Sequence, residues 1–164
     1  MKSAIINVLI DTRGRTMNIG DLLNNHLLLA SACSWLAAQV LKTIIYAIVN
    51  HTLDIKRLFG DGGMPSGHSA TVTALATAAA IECGFDSPVF AVAFMMAIIV
   101  MHDAMGVRLE ASKHAKMLNE IVDYLNADIP VETRLKEFLG HTPSQVVCGA
   151  LLGLVVAIIF CFYI

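Results

Sequence analysis

The sequence predicts an all-α integral membrane bundle of about four transmembrane helices, with one added amphipathic helical segment. Three observations lead there. The 164 residues are 57% hydrophobic and 15% charged, where a soluble domain carries about a quarter charged residues. The apolar residues gather into long runs, and the mean hydropathy is +0.70. Between the runs stand turns such as Gly84-Phe85-Asp86-Ser87-Pro88, whose serine and proline suit the start of a helix. The length fits a single domain over residues 1–164. A formal net charge of −2 leaves no basic surface for nucleic acid.

Taken in order, residues 1–21 form a polar lead-in with Lys2, Asp11, Arg13 and Arg15, and no convincing cleavage site marks a signal peptide. The first span runs from about Leu22 to Val49, with Asn24, Asn25 and His26 at its outer end. Gln39 and Lys42 interrupt it. A lysine there is costly unless it snorkels or pairs, so it marks either a helix end or a site. A polar connection with His51, Asp54, Lys56, Arg57 and Asp61 follows. The second helix, Ser66 to Glu82, is rich in Ala and Thr, which suits close helix packing better than lipid contact. The third runs from Pro88 to Met105, with Met95, Met96 and Met101 as gap-fillers.

Residues 109–139 are the only long polar segment, a helical insertion in which Leu118, Ile121, Val122 and Leu125 recur at helical spacing opposite Glu120, Asp123 and Asn126. An amphipathic helix lying on the membrane or over a site is expected. Pro130 ends it, and Glu132 to Phe138 form another short helical turn. The last span covers Ser144 to Ile164. Cys33, Cys83, Cys148 and Cys161 lie in or beside apolar segments without metal spacing and read as buried free thiols.

Gly62-Gly63-Met64-Pro65-Ser66-Gly67-His68-Ser69-Ala70 is the most informative stretch. Glycines and a proline stop one segment, and a histidine opens the next helix, where unpaired N–H groups can hold an anion. The plain alternative is a connector with His68 at headgroup level. Four spans put Lys42, Arg57, His68, Asp103, Arg108 and His141 on one face of the membrane, which favours a site. Two histidines, three cations and a helix N-terminus suit metal-free phosphoryl transfer, one imidazole attacking phosphorus and the other protonating the leaving oxygen. Two histidines with one acidic neighbour make a poor zinc set, so no metal or cofactor is expected.

Pro65-Ser66-Gly67-His68 resembles the second signature of the type-2 phosphatidic-acid phosphatase superfamily, which also contains vanadium-dependent haloperoxidases. The run from His141 to Gly149 is similar to the end of its third signature. With Asp103-Ala104-Met105-Gly106-Val107-Arg108 and Leu139–Gly149, the chain resembles the divergent small membrane branch of that superfamily from about residue 27 onward. The resemblance implies His141 as nucleophile and His68 as general acid. It implies Lys42, Arg57, Ser66, Gly67 and Arg108 as phosphate contacts, with Asp103 and Gln145 in support.

There are departures. The lysine and arginine of the first signature usually lie closer together, and neither is followed by proline here. Leu135 stands where the third-signature arginine usually precedes the nucleophile, which makes Arg134 and Lys136 rivals of Arg108. Gln145 stands where an aspartate normally charges up the nucleophilic histidine, and Asp103 or Glu137 are the candidate substitutes.

The expected function is a phosphatase of membrane lipid or isoprenoid phosphates, with phosphatidylglycerophosphate, phosphatidic acid and polyprenyl diphosphate all fitting. Its partners are then the lipid phosphate and the surrounding lipids, and the sequence sets no oligomeric state. The rivals are a non-catalytic binder of anionic lipid or phosphate and, ranked lower, a vanadate-dependent haloperoxidase. The motif face carries Lys56, Arg57, Arg108, Lys113, Lys116, Arg134 and Lys136 against Lys2, Arg13 and Arg15 opposite, which puts the site on the cytoplasmic side.

Overall fold

The computed structural model describes residues 19–54, 58, 60, 62–125, 134–137 and 140–163. A short 3-10 helix, Ile19–Asn24, leads into α1 (His26–Asn50), followed by α2 (Gly67–Cys83), α3 (Pro88–Met105), α4 (Val107–Tyr124) and α5 (Pro143–Tyr163). No strand occurs among the described residues, so the expected all-α bundle is the fold. Among the described residues three runs are long and apolar enough to cross a membrane: α1, α5 and Pro88–Tyr124, in which α3 passes into α4. Arg57, expected as a phosphate contact, lies outside the described residues.

The helix starts follow from local chemistry. Asn25 caps α1 by accepting from the Leu28 N–H at 3.0 Å, which is why the helix begins after the asparagines and not at Leu22. Ser87 caps α3 in the same way, accepting from the Phe90 N–H at 3.1 Å, with Pro88 as the first helical residue.

α2 is the hub, packed against α1, α3 and α5. Its sequence explains that position. Ala70, Ala74, Ala78 and Ala79 are completely buried, and short side chains let neighbouring backbones come close. The closest approach is to α5. A Cβ on Gly149 would collide with the Ser66 carbonyl oxygen, and one on Gly153 with the Ala70 carbonyl oxygen. Gly149 and Gly153 form a small-xxx-small pair on the α5 face that meets α2. From α1, the Ser34 hydroxyl donates to the same Ala70 carbonyl at 3.0 Å. Large apolar residues such as Leu36, Ile44, Val92, Ile99, Leu151 and Ile159 are exposed around the outside. Small residues within and large apolar ones without are the arrangement a lipid-embedded bundle needs. At the end away from the motifs, His26 Nδ1 meets Glu82 Oε1 at 2.7 Å, tying the start of α1 to the end of α2.

α4 is the amphipathic helix expected in this segment, and the protein covers its polar side. Its buried residues are Ser112, Ala115 and Asn119, while Leu118, Ile121 and Leu125 are exposed. The reason is that α4 receives a polar chain segment. Asn119 Nδ2 donates to the Leu135 carbonyl at 2.9 Å and to Glu137 Oε1 at 2.8 Å, and Asn119 Oδ1 accepts from the Leu135 N–H at 3.1 Å. Ser112 Oγ accepts from the Gly140 N–H at 3.0 Å. The apolar stripe therefore points away from the protein. Residues 134–137, inside the short helix expected from Glu132 to Phe138, are not helical, and the N–H and carbonyl of Leu135 both bond to the Asn119 side chain instead.

Candidate functional site

The site forms where the N-termini of α2 and α5 lie side by side. Ser66 is the N-cap of α2: its hydroxyl accepts from the Ser69 N–H at 3.3 Å and from the Ser69 hydroxyl at 3.0 Å. The Ser66 N–H donates to the Gln145 carbonyl at 3.1 Å, stitching the two helix starts together. Gly67 is the first residue of α2, so its N–H has no intrahelical partner. Two helix N-termini converge here, each carrying a partial positive charge suited to an anion.

His141 is held from three sides. Its N–H donates to the Ala104 carbonyl at 3.0 Å. Gly140 before it packs so tightly on the Arg108–Leu109 backbone that no Cβ would fit. Its ring lies edge-on to that of His68, with centroids 6.0 Å apart and planes at 61°. His141 is 1% exposed, while His68 is partly open.

Gln145 has two tasks. Val146 donates its N–H to the Thr142 carbonyl at 3.1 Å, which makes Thr142 the N-cap of α5 and Gln145 its third helical residue. Gln145 Oε1 accepts from the Thr142 N–H at 3.1 Å, the side-chain-to-cap bond of a capping box. The same oxygen lies 3.1 Å from His141 Nδ1. Because the Thr142 N–H is a fixed donor, it identifies the end of the amide facing it as oxygen. An oxygen there requires Nδ1 to carry the proton, which leaves the lone pair of His141 on Nε2. The Thr-x-x-Gln pattern at 142–145 is the sequence signal for this arrangement.

A cavity of about 300 Å³ opens beside this junction, lined by Trp35, Gln39 and Lys42 of α1, by Gly67 and His68 of α2, and by Val100 of α3. That is at the small end for a ligand pocket. His141 stands behind His68 and is not among the lining residues. Lys42 is 4% exposed, and its Nζ donates to the Gly60 carbonyl at 3.0 Å. It does not snorkel to the surface. Gly63, at φ +96°, occupies the left-handed region and lies against the Lys42 stem, where an added Cβ would sit 3.4 Å from Cγ.

The other expected residues are placed as follows. Arg108 has its backbone against Gly140, but its Nε is paired with Asp103 Oδ2 at 2.7 Å, both side chains being about half exposed. Arg134 pairs with Asp123, and Lys136 is exposed. Glu137 accepts from Asn119. The acidic groups considered as substitutes for Gln145 are thus engaged elsewhere, and the group on His141 Nδ1 is Gln145 itself. The Ser66 hydroxyl is likewise given to the cap, at 0% exposure, so of the Ser66-Gly67 pair it is the Gly67 backbone that lines the cavity. Among the described residues no group of three His, Cys, Asp or Glu is placed to hold a metal ion.

Helical architecture and an apolar exterior define an integral membrane protein, at one end of which two helix starts and two histidines meet. The chain belongs to the divergent PAP2 family, whose model matches residues 23–156. It is 39% identical over 155 residues to the uncharacterized membrane protein YuiD of Bacillus subtilis (strain 168), covering 87% of this chain and 98% of that one. No solved structure matches.

Proposed function

We propose that this protein is a metal-independent phosphatase of membrane lipid phosphates, working through a phosphohistidine at His141 on the cytoplasmic face of the membrane. The observation that carries this reading is the Gln145–His141–His68 alignment: Nδ1 of His141 is held at 3.1 Å by Gln145, and the His68 ring lies 6.0 Å away beside the cavity. Family membership supports the reaction class.

In this mechanism the lipid phosphate enters from the headgroup layer. Lys42 and the α2 N-terminus neutralise its oxygens. His141 Nε2 attacks phosphorus, forming an N–P bond as the P–O bond to the lipid breaks, and His68 gives its proton to the departing lipid oxygen. His68, now neutral, takes a proton from water. The water oxygen attacks phosphorus, the N–P bond breaks and inorganic phosphate leaves. Near-attack geometry needs about 3–3.5 Å between Nε2 and phosphorus. Since His141 is shielded at 1% exposure, the His68 ring has to turn aside to admit the phosphoryl group. Phosphate release from a panel of lipid phosphates is the test, wild type against His141→Ala. Release that depends on His141 supports the reading, and equal turnover in the variant overturns it.

A second reading is favoured by the neutral Gln145, which stabilises an imidazolium less than an aspartate would. The same pocket then binds an anionic lipid headgroup or phosphate without hydrolysing it, and saturable binding with no release across the panel would identify that case.

A further inference from the structure

Gln39 has no place in the mechanism above. It sits on α1 between Trp35 and Lys42, one turn from each along the stripe that faces the cavity. Its side chain is 94% out of solvent contact, being 6% exposed, and its Oε1 accepts no hydrogen bond. Most buried polar groups are bonded, so an exception of this kind calls for a reason. The oxygen lies over the start of α2: a Cβ built on Gly67 would stand 3.9 Å from it. Beside it, Lys42, the α2 N-terminus and His68 present donors or positive charge to the cavity. Gln39 Oε1 is an acceptor among donors.

We propose that Gln39 is a ligand-contacting residue that accepts a hydrogen bond from a hydroxyl on the phosphorylated lipid, making the pocket selective for phosphates that carry a donor. The inference rests on the reading that this cavity takes a phosphorylated lipid, though not on hydrolysis. Donors on the wall take the anionic oxygens of the phosphoryl group. The remaining position, a P–OH or a hydroxyl of the headgroup, needs an acceptor, and Gln39 supplies it. The terminal torsion of glutamine is soft, so a small turn of the amide is enough to bring Oε1 from the wall to the ligand. An unsatisfied buried acceptor also disfavours ligands that lack the donor, because they leave its desolvation uncompensated.

The test is binding in detergent micelles to wild type, Gln39→Met and Gln39→Glu, with three dioctanoyl lipids. Phosphatidic acid offers a P–OH. Phosphatidylglycerol is a diester with headgroup hydroxyls only. Phosphatidylmethanol has neither. The expected result is a loss of about tenfold in the affinity of Gln39→Met for a donor-bearing lipid, with phosphatidylmethanol unchanged. Loss with phosphatidic acid alone assigns the donor to the phosphoryl group, and loss with phosphatidylglycerol alone assigns it to the headgroup. Gln39→Glu keeps an acceptor, so it retains the wild-type ratio between lipids even where all three bind more weakly. An equal loss for all three lipids in Gln39→Met, no loss, or no binding of any to wild type overturns the proposal. Phosphate release is measured on the same preparations. Donor-selective binding without release removes the phosphatase reading and leaves this one standing. Release that depends on His141, with a KM indifferent to Gln39→Met, does the reverse.

Discussion

Replacing Gln145 separates its two tasks. Gln145→Met keeps the length of the side chain but removes the oxygen that accepts from Thr142 N–H and from His141 Nδ1–H. The two lost bonds are unequal. Thr142 is exposed, so water takes over its N–H, and the loss there is an ordinary cap effect of about 1 kcal/mol. His141 is 1% exposed, so its Nδ1–H is left unsatisfied at a cost of about 1–3 kcal/mol. With that bond gone nothing holds the proton on Nδ1, and the tautomer protonated at Nε2 has no lone pair there for attack. Rate therefore falls by about 10- to 100-fold, since each 1.4 kcal/mol or so is tenfold. Gln145→Glu retains the acceptor and adds a charge. A charge-assisted bond to the developing imidazolium exceeds a neutral one by about 1 kcal/mol, which predicts a rise of about fivefold. The assay is initial phosphate release from dioctanoyl phosphatidic acid in micelles, with thermal unfolding followed in parallel. A folded Gln145→Met enzyme with wild-type kcat refutes the orienting role.

Three further predictions follow from the same geometry. Lys42→Met removes the buried cation beside the cavity and should raise KM for a lipid phosphate by about tenfold or more, with binding in micelles as the check. Gly153→Ala places a methyl group against the Ala70 carbonyl and forces α5 away from α2, costing about 1–3 kcal/mol, which a lowered unfolding temperature in detergent would register. If the outward stripe of α4 rests in the lipid interface, cysteines at Leu118 and Ile121 in a cysteine-free background should resist aqueous thiol reagents in liposomes, while those at Lys116 and Glu120 react; equal labelling would show that the stripe is not in lipid.

Much of the fold was legible because span and cap signals are local. α3 has the bounds expected from the Ser87-Pro88 start and the run to Met105. α1 starts later than expected because Asn25 acts as a cap, not as part of the helix. The role of α2 was readable from its alanines, but its tightest partner was not: Gly149 and Gly153 show their purpose only when the Ser66 and Ala70 carbonyls stand opposite them. In α4, periodicity identifies an apolar stripe without saying whether protein or lipid covers it. Its inward face is chosen by Asn119 and Ser112, polar residues whose partners lie far along the chain. The same limit applied at the site. The motifs indicated His68 and His141, while the Asp-to-Gln departure read as a loss until the capping box gave Gln145 a geometric reason. Gln39 looked like an interruption of a span and became notable only through its burial beside the cavity.

The proposed mechanism carries a phosphoryl group on His141, and trapping that group tests it. Protein mixed with a lipid phosphate labelled at phosphorus is quenched in base within the first turnovers and digested, and the labelled peptide is sequenced. An acid-labile, base-stable label is expected on the peptide containing His141 and absent from His141→Ala. Phosphate release by wild type with no label at His141, or label unchanged in His141→Ala, would contradict the mechanism.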